Sequence, residues 1–172
     1  MHVQALDIMR ELLTDHVEPG QTVLDVGSYD VNGTLRPLCE ELGLAYVGLD
    51  LEPGPNVDIV SENPYRFPLR ANSFDVVVSC STMEHVQAIW RWVPELVRVL
   101  KPGGLLAITT HTCWPLHRYP VDCWRIMPDG MIFLLNETGL LVPESYTLNL
   151  PNENDIGASA RKKKRGKQRK TK

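Results

Sequence analysis

The run HTCWPLHRYPVDCWRIMP at 111–128 gathers His111, His117, Tyr119, Asp122, Trp124 and Arg125 in one segment. Imidazole, phenol, carboxylate and guanidinium groups at such density can move protons and hold a polar ligand, and an indole can wall that ligand off from water. As a loop folded over a pocket, the segment would present His117, Tyr119, Asp122, Trp124 and Arg125 to a polar ligand. As a packed loop, it would bury Trp124 and pair Arg125 with Asp122. CSTMEHV at 80–86 places Glu84 and His85 just past a strand-like run. At that mouth His85 and His111 are the candidate catalytic residues. His111, Cys113, His117 and Cys123 could also be read as metal ligands, but the spacing HxC(x3)H(x5)C matches no common zinc pattern, so no metal is expected.

A second constellation lies nearer the start. TVLDV (22–26) runs into GSYDVNG (27–33), where Gly27 lets the chain turn sharply off a strand and Gly33 starts the next helix. Asp50 follows Asp25 by twenty-five residues and ends another apolar run, AYVGLD (45–50). A glycine turn after one strand and a carboxylate at the end of the next are parts of a nucleotide-like site, the carboxylate accepting both hydroxyls of a ribose.

These residues need a frame. Val3, Leu6, Met9, Leu12, Leu13 and Val17 recur at helical spacing, predicting a helix over 3–16 closed by Pro19-Gly20. TVLDV, AYVGLD, VDIV (57–60), SFDVVVSC (73–80) and GLLAITT (104–110) read as strands, with TLRPLCEEL (34–42) a helix between the first two. Positions 85–100 are helical in pattern, with Pro94 opening a second helix, PELVRVL. Pro128 opens a helix to about Glu137, Gly139 caps it, and LLVPESYTL (140–148) is a last strand. Near-continuously apolar strands alternating with helices call for an α/β fold, a doubly wound, mostly parallel sheet covered on both faces. About six strands are legible, so a shortened C-terminal edge is expected. Ligands of such sheets bind at the carboxyl ends of the strands where strand order reverses, beside the first strand and its Gly27 turn.

Four strings in order, VLDVGS (23–28), YVGLDLEPG (46–54), FPLRANSFDVVVS (67–79) and ELVRVLKPGGLLAI (95–108), resemble the motifs of class I S-adenosylmethionine-dependent methyltransferases, more narrowly their type 11 branch. The resemblance covers about residues 20–140, and its last string is the most specific. It implies a Rossmann-like methyltransferase fold that binds S-adenosyl-L-methionine across the ends of strands one, two and four. The implied reaction is in-line methyl transfer to a small-molecule or glycan-precursor acceptor. It further implies that Asp25 and Gly27 line the methionine part of the cofactor, that Asp50 holds the ribose, that Leu51 packs near the adenine and that Asn63 accepts from the adenine amino group. The 111–128 segment is similar to a HxYPxDxWRxxP stretch of that branch, which implies an acceptor lid. Tyr29 and Val31 replace the usual second and third glycines of the first loop, a departure similar to the SxDVNG loop of some type 11 members. That loop and the short C-terminus leave a catalytically silent binding module as the alternative.

Charge divides the chain. Nine of the eighteen Lys and Arg lie in 161–172 while all twenty-one Asp and Glu lie at or before Asp155, so residues 1–160 carry −12 and the last twelve +9. The expected organisation is a methyltransferase domain over 1–150 and a basic, disordered tail over 151–172. Without aromatics the tail offers phosphate attraction but no base stacking. The tail has two readings, nonspecific nucleic-acid contact through 161–172 or a localisation signal on one side and a solvated, solubilising end on the other; the first would also suit a nucleic-acid methyltransferase guided by the tail. No apolar run approaches the ~20 residues of a membrane span. The N-terminus shows no signal-peptide pattern and the four cysteines form no CxxC pair, so the expectation is a cytoplasmic protein with reduced thiols and no membrane partner.

Overall fold

The computed structural model describes residues 3–139, 141–149 and 154–164, with the backbone course alone for 142–149. TVLDV forms β1 (Thr22–Val26) and AYVGLD forms β2 (Ala45–Asp50); β3 (Ile59–Val60), β4 (Phe74–Cys80) and β5 (Leu100–His111) follow. β1 lies parallel between β2 and β4, with β3 beyond β2 and β5 beyond β4. Successive strand residues point to opposite layers. Val23, Val76, Val78, Leu105 and Ala107 meet Ile8, Met9, Leu12 and Leu38 from α1 (Val3–Thr14) and α2 (Arg36–Glu41). Leu24, Val26, Val77, Leu106 and Ile108 meet Trp92, Leu96, Met131 and Leu135 from α3 (Ile89–Val99) and α4 (Pro128–Glu137). Both faces are covered, which is why the inner strands are apolar at consecutive positions.

The α/β class is as expected, but the edge is not shortened. Among the described residues the sheet has seven strands in the order β3-β2-β1-β4-β5-β7-β6. β6 (Leu141–Asn149) is the expected last strand, and it joins the sheet only through β7 (Asp155–Lys162), which runs antiparallel to both β5 and β6. The domain therefore extends past residue 150 and takes in the start of the segment expected to be a tail; residues 165–172 lie outside the described residues. β7 is hard to read because DIGASARK carries small residues where strands usually carry branched ones. A Cβ on Gly157 would overlap Ile8 Cγ2 and stand 3.0 Å from Leu12 Cδ1, so α1 sits directly on this strand and leaves no room for bulk.

The first tail charges are structural. Arg161 donates to Gly103 O and His16 O, while Lys162 Nζ donates to Val97 O and Leu100 O, at the C-terminus of α3, and to Asn72 Oδ1. Lys162→Met is expected to cost about 1–3 kcal/mol, because main-chain acceptors in the interior lose a charged donor; a urea midpoint equal to wild type would return Lys162 to the tail. Pro94 also departs from expectation, lying inside α3 instead of opening a second helix. Its missing N–H would have bonded Trp90 O, and both residues are on the exposed side of the helix, where the unpaired carbonyl can be hydrated. Among the described residues no helix is long and apolar enough to cross a membrane.

Candidate active site

From β1 the chain winds outward through β2 to β3, then returns to β4 on the other side of β1, so the carboxyl ends of β1 and β4 flank a crevice. The cleft there has a volume of about 730 Å³, within the range of small-molecule sites. Gly27 turns the chain off β1 at φ 86°, and a Cβ on it would overlap Thr82 Oγ1 and Cγ2. Asp50 and Leu51 border the cleft from the end of β2. Asp50 Oδ2 accepts the Tyr29 N–H at 2.9 Å and Oδ1 accepts the Leu51 N–H at 2.6 Å. One carboxylate thus fixes the 27–33 loop and faces the cleft, and each oxygen keeps a second acceptor position. Tyr29 is accommodated in place of a loop glycine because Gly54 offers no side chain; a Cβ there would overlap the phenol ring.

Residues without any motif hold this loop from below. Asn56, at φ 69°, donates from Nδ2 to Ser28 O at 2.9 Å, Thr34 Oγ1 at 2.6 Å and Tyr46 Oη at 2.8 Å. Arg36 donates to Asn56 Oδ1, pairs with Asp58 and lies 4.2 Å over the Tyr46 ring. Tyr46 Oη in turn donates to Asp25 Oδ2 at 2.5 Å. Asp25 is 3 % exposed, and burial pushes its carboxyl up to about 7 against that hydrogen bond. The cleft wall therefore contains a group that changes charge near neutrality. Sequence reasoning missed Tyr46, Asn56 and Arg36; the one signal was a Pro-Asn turn, which says nothing of where Nδ2 points.

The other end of the cleft is built where β4 and β5 finish. Glu84, in the 3₁₀ turn Met83–His85, is fully buried. Its Oε2 accepts from Thr110 Oγ1 at 2.7 Å, while Oε1 lies 3.1 Å from His111 Nε2 without the alignment of a hydrogen bond. His111 Nδ1 stands 2.8 Å from Asp155 Oδ1, so the ring is held between two carboxylates, one of them from the unforeseen β7. Burial opposes a charged ring here, but Asp155 and Glu84 outweigh it and push the His111 pKa up to about 9. Burial likewise favours a neutral Glu84, yet His111 and Thr110 hold its carboxyl below the ordinary range. An imidazolium suits His111 to positioning Glu84, not to removing a proton. The Nδ1 of His85 lies 2.6 Å from Val121 O, and since a carbonyl only accepts, Nδ1 carries a proton, which leaves Nε2 as the ring nitrogen able to act as an acceptor.

Residues 112–127 cross this end without regular structure. The N–H groups of Cys123 and Trp124 donate to Glu84 O, and Trp124 Nε1 donates to Val86 O. Arg125 grips Asp122 through both terminal nitrogens at 2.6 and 2.8 Å and holds that carboxyl well below the usual range, while the His117 N–H donates to Asp122 Oδ2. Of the five expected acceptor residues, His117 and Tyr119 border the cleft; Asp122, Trp124 and Arg125 brace the loop behind it. The packed-loop reading describes those three. Asn63 is also displaced, its Oδ1 accepting the Tyr65 N–H at 2.8 Å in an Asx turn, with Pro64 next to the cleft instead. Trp114 and Arg118 border the cleft without having been expected there.

The family model described as a methyltransferase domain matches residues 24–108, from β1 into β5. That span is 85 of the 172 residues, just under half of the chain, and over it the chain is similar to the family. An uncharacterized methyltransferase of Mycobacteroides abscessus is 32% identical over 109 residues, which is 55% of this chain and 41% of the relative. The chain spans less than half the length of the curated relatives it matches. Among solved structures, the 1,6-didemethyltoxoflavin-N1-methyltransferase of Burkholderia thailandensis, with bound 1,6-didemethyltoxoflavin and S-adenosylhomocysteine, matches at TM-score 0.74 and 18% identity over 92% of this chain and 78% of that one. The cyclase SpnF matches at TM-score 0.74 and 14% identity over 94% and 80%. Likeness at these identities is likeness of fold, and chemistry has to be argued from the site. The matched span holds Gly27, Asp50 and His85; residues 112–127, β6 and β7 lie beyond it.

Proposed function

We propose that this chain is an S-adenosyl-L-methionine-dependent methyltransferase acting on a small-molecule or glycan-precursor acceptor. The observation that carries the reading is a single cleft joining the Gly27 turn and the Asp50 carboxylate to His85, His117 and Tyr119. Its residues fit the cofactor. Asp25 faces the methionine ammonium, Asp50 offers its remaining acceptor positions to the ribose hydroxyls, and Leu51, 45 % exposed, gives the adenine an apolar surface. Ser28 Oγ, buried in the same wall without a hydrogen-bond partner, suits a polar ligand pressed against the turn. When bound, the cofactor supplies a methyl group on a positively charged sulfur, open to in-line displacement.

The protein's part is alignment and exclusion of water. Trp114, His117 and Tyr119 close the acceptor end, and His85 presents Nε2 to it while Val121 O fixes the ring. The enclosed lid supports a small acceptor, as does the small molecule bound by the Burkholderia enzyme. Nonspecific nucleic-acid contact is proposed only for the basic residues after Lys164, because Arg161, Lys162 and Lys163 already bind main-chain carbonyls. A cytoplasmic location accords with four cysteines free of disulfides.

S-adenosylhomocysteine is expected to raise the melting temperature, and Asp50→Ala to weaken its binding by roughly 100-fold through loss of charge-assisted hydrogen bonds and of the Tyr29 anchor. Retention of the full shift in Asp50→Ala would contradict the placement of the cofactor.

A further inference from the structure

We propose that Glu84, His85 and His117 form a binding site for a divalent first-row transition cation at the acceptor end of the cleft. One donor atom from each residue lies within 4.8 Å of those of the other two. Two come from the turn after β4 and the third from the lid, a spacing that matches no recurrent metal motif and so gave no sign in the sequence.

Three features point to a cation. Glu84 Oε1 is buried, accepts no hydrogen bond, and lies 4.0 Å from His85 Nε2. His111 meets that oxygen from one side at 3.1 Å, and its remaining lone pair is open to a second positive ligand. Next, both imidazoles are turned for ligation: Nδ1 of His85 lies 2.6 Å from Val121 O and Nδ1 of His117 lies 3.1 Å from Pro115 O, which leaves Nε2 of each ring as the donor. Metal-binding histidines characteristically use a carbonyl in this way to fix the tautomer. Finally, the carboxylate that would ligate is itself held, by Thr110 on Oε2 and by His111 beside Oε1, and Asp122 Oδ2 stands 3.4 Å from His117 Nδ1 as outer support.

Closing on a cation at about 2.0–2.1 Å brings ligand atoms to about 3.4 Å apart, so the site must contract by roughly 1 Å. His117 can supply that movement, since it sits on the irregular lid with its side chain 27 % exposed. Two imidazoles and one carboxylate favour zinc, cobalt, nickel or iron over magnesium or calcium, which take oxygen ligands. The remaining coordination positions face the cleft beside Tyr119, where a hydroxyl, thiol or amine of an acceptor could fill one; that use rests on the methyltransferase reading, whereas cation binding does not.

The test is titration of the chelator-stripped full chain with Co2+ alone, followed by visible absorption, with no cofactor or acceptor present. One equivalent is expected to develop ligand-field bands that Zn2+ abolishes. His117→Ala, on an exposed loop where folding is not at stake, should weaken binding by at least roughly 100-fold. A Cys113→Ser/Cys123→Ser variant, which removes the exposed thiols, should bind as wild type. No bands in wild type, bands undiminished in His117→Ala, or bands lost only in the cysteine variant would each overturn the site. The S-adenosylhomocysteine melting shift on the same samples separates this result from the proposed function: a shift without cobalt binding removes the cation site alone.

Discussion

Gly27→Ala is expected to cost about 2–5 kcal/mol of stability and to abolish S-adenosylhomocysteine binding. Two independent penalties add. Alanine at φ 86° pays about 1–2 kcal/mol for the left-handed backbone. Its Cβ also overlaps Thr82 and stands 2.7 Å from the Thr82 Cβ itself, so rotating the threonine does not clear it, and overpacking of this kind costs about 1–3 kcal/mol. Relief by backbone movement would part the ends of β1 and β4, which are the floor of the cleft. Thr82→Gly in the Gly27→Ala background should recover the packing portion and leave the backbone portion, a coupling of roughly 1–3 kcal/mol read from urea midpoints. An unchanged midpoint in the single variant would mean that the turn is not packed as described.

Asp25 gives the second large effect, and it is a pH effect of opposite sign on stability and on binding. Burial sets the folded pKa near 7, with Asp50 adding to the rise and Tyr46 and Arg36 opposing it, against about 3.9 in an unfolded chain. Between these values the folded state holds the proton and the unfolded state does not, so the contribution to stability is full below about pH 4 and lost by about pH 7. The cost above pH 7 is on the order of 4 kcal/mol. Asp25→Asn keeps an oxygen for the Tyr46 hydroxyl and carries no charge; it should flatten this slope and be the more stable protein at pH 9. Binding runs the other way. The methionine ammonium favours the ionised carboxyl, so affinity should rise up to about tenfold per pH unit as pH approaches 7 and then level off, while Asp25→Asn binds weakly with this rise removed. An unchanged affinity–pH profile in Asp25→Asn would place the titrating group elsewhere.

Legibility in the sequence followed how far residue type alone decides a residue's role. Gly27 could be read because a strand-to-loop turn at positive φ admits little else, and β1, β2 and β4 because strands buried on both faces must be apolar throughout. β7 could not, since the closeness of α1 demands small residues such as Gly157, Ala158 and Ala160 and so erases the branched pattern of a strand. Asp155 was lost with it, and with Asp155 the reason that His111 is charged. Asp122 and Arg125 have types suited to ligand binding, but their orientation depends on a mutual grip that no spacing reveals. Asn56 and Tyr46 matter through convergence of the β1–α2 loop and β2 on one amide, a property of the folded chain only.

Calorimetric titration of the full chain with S-adenosylhomocysteine near pH 8 tests cofactor binding in this cleft most directly. Binding at one site with a Kd of about 100 μM or tighter is the predicted result. No heat and no melting shift at about 1 mM ligand, in protein that is folded, would contradict it.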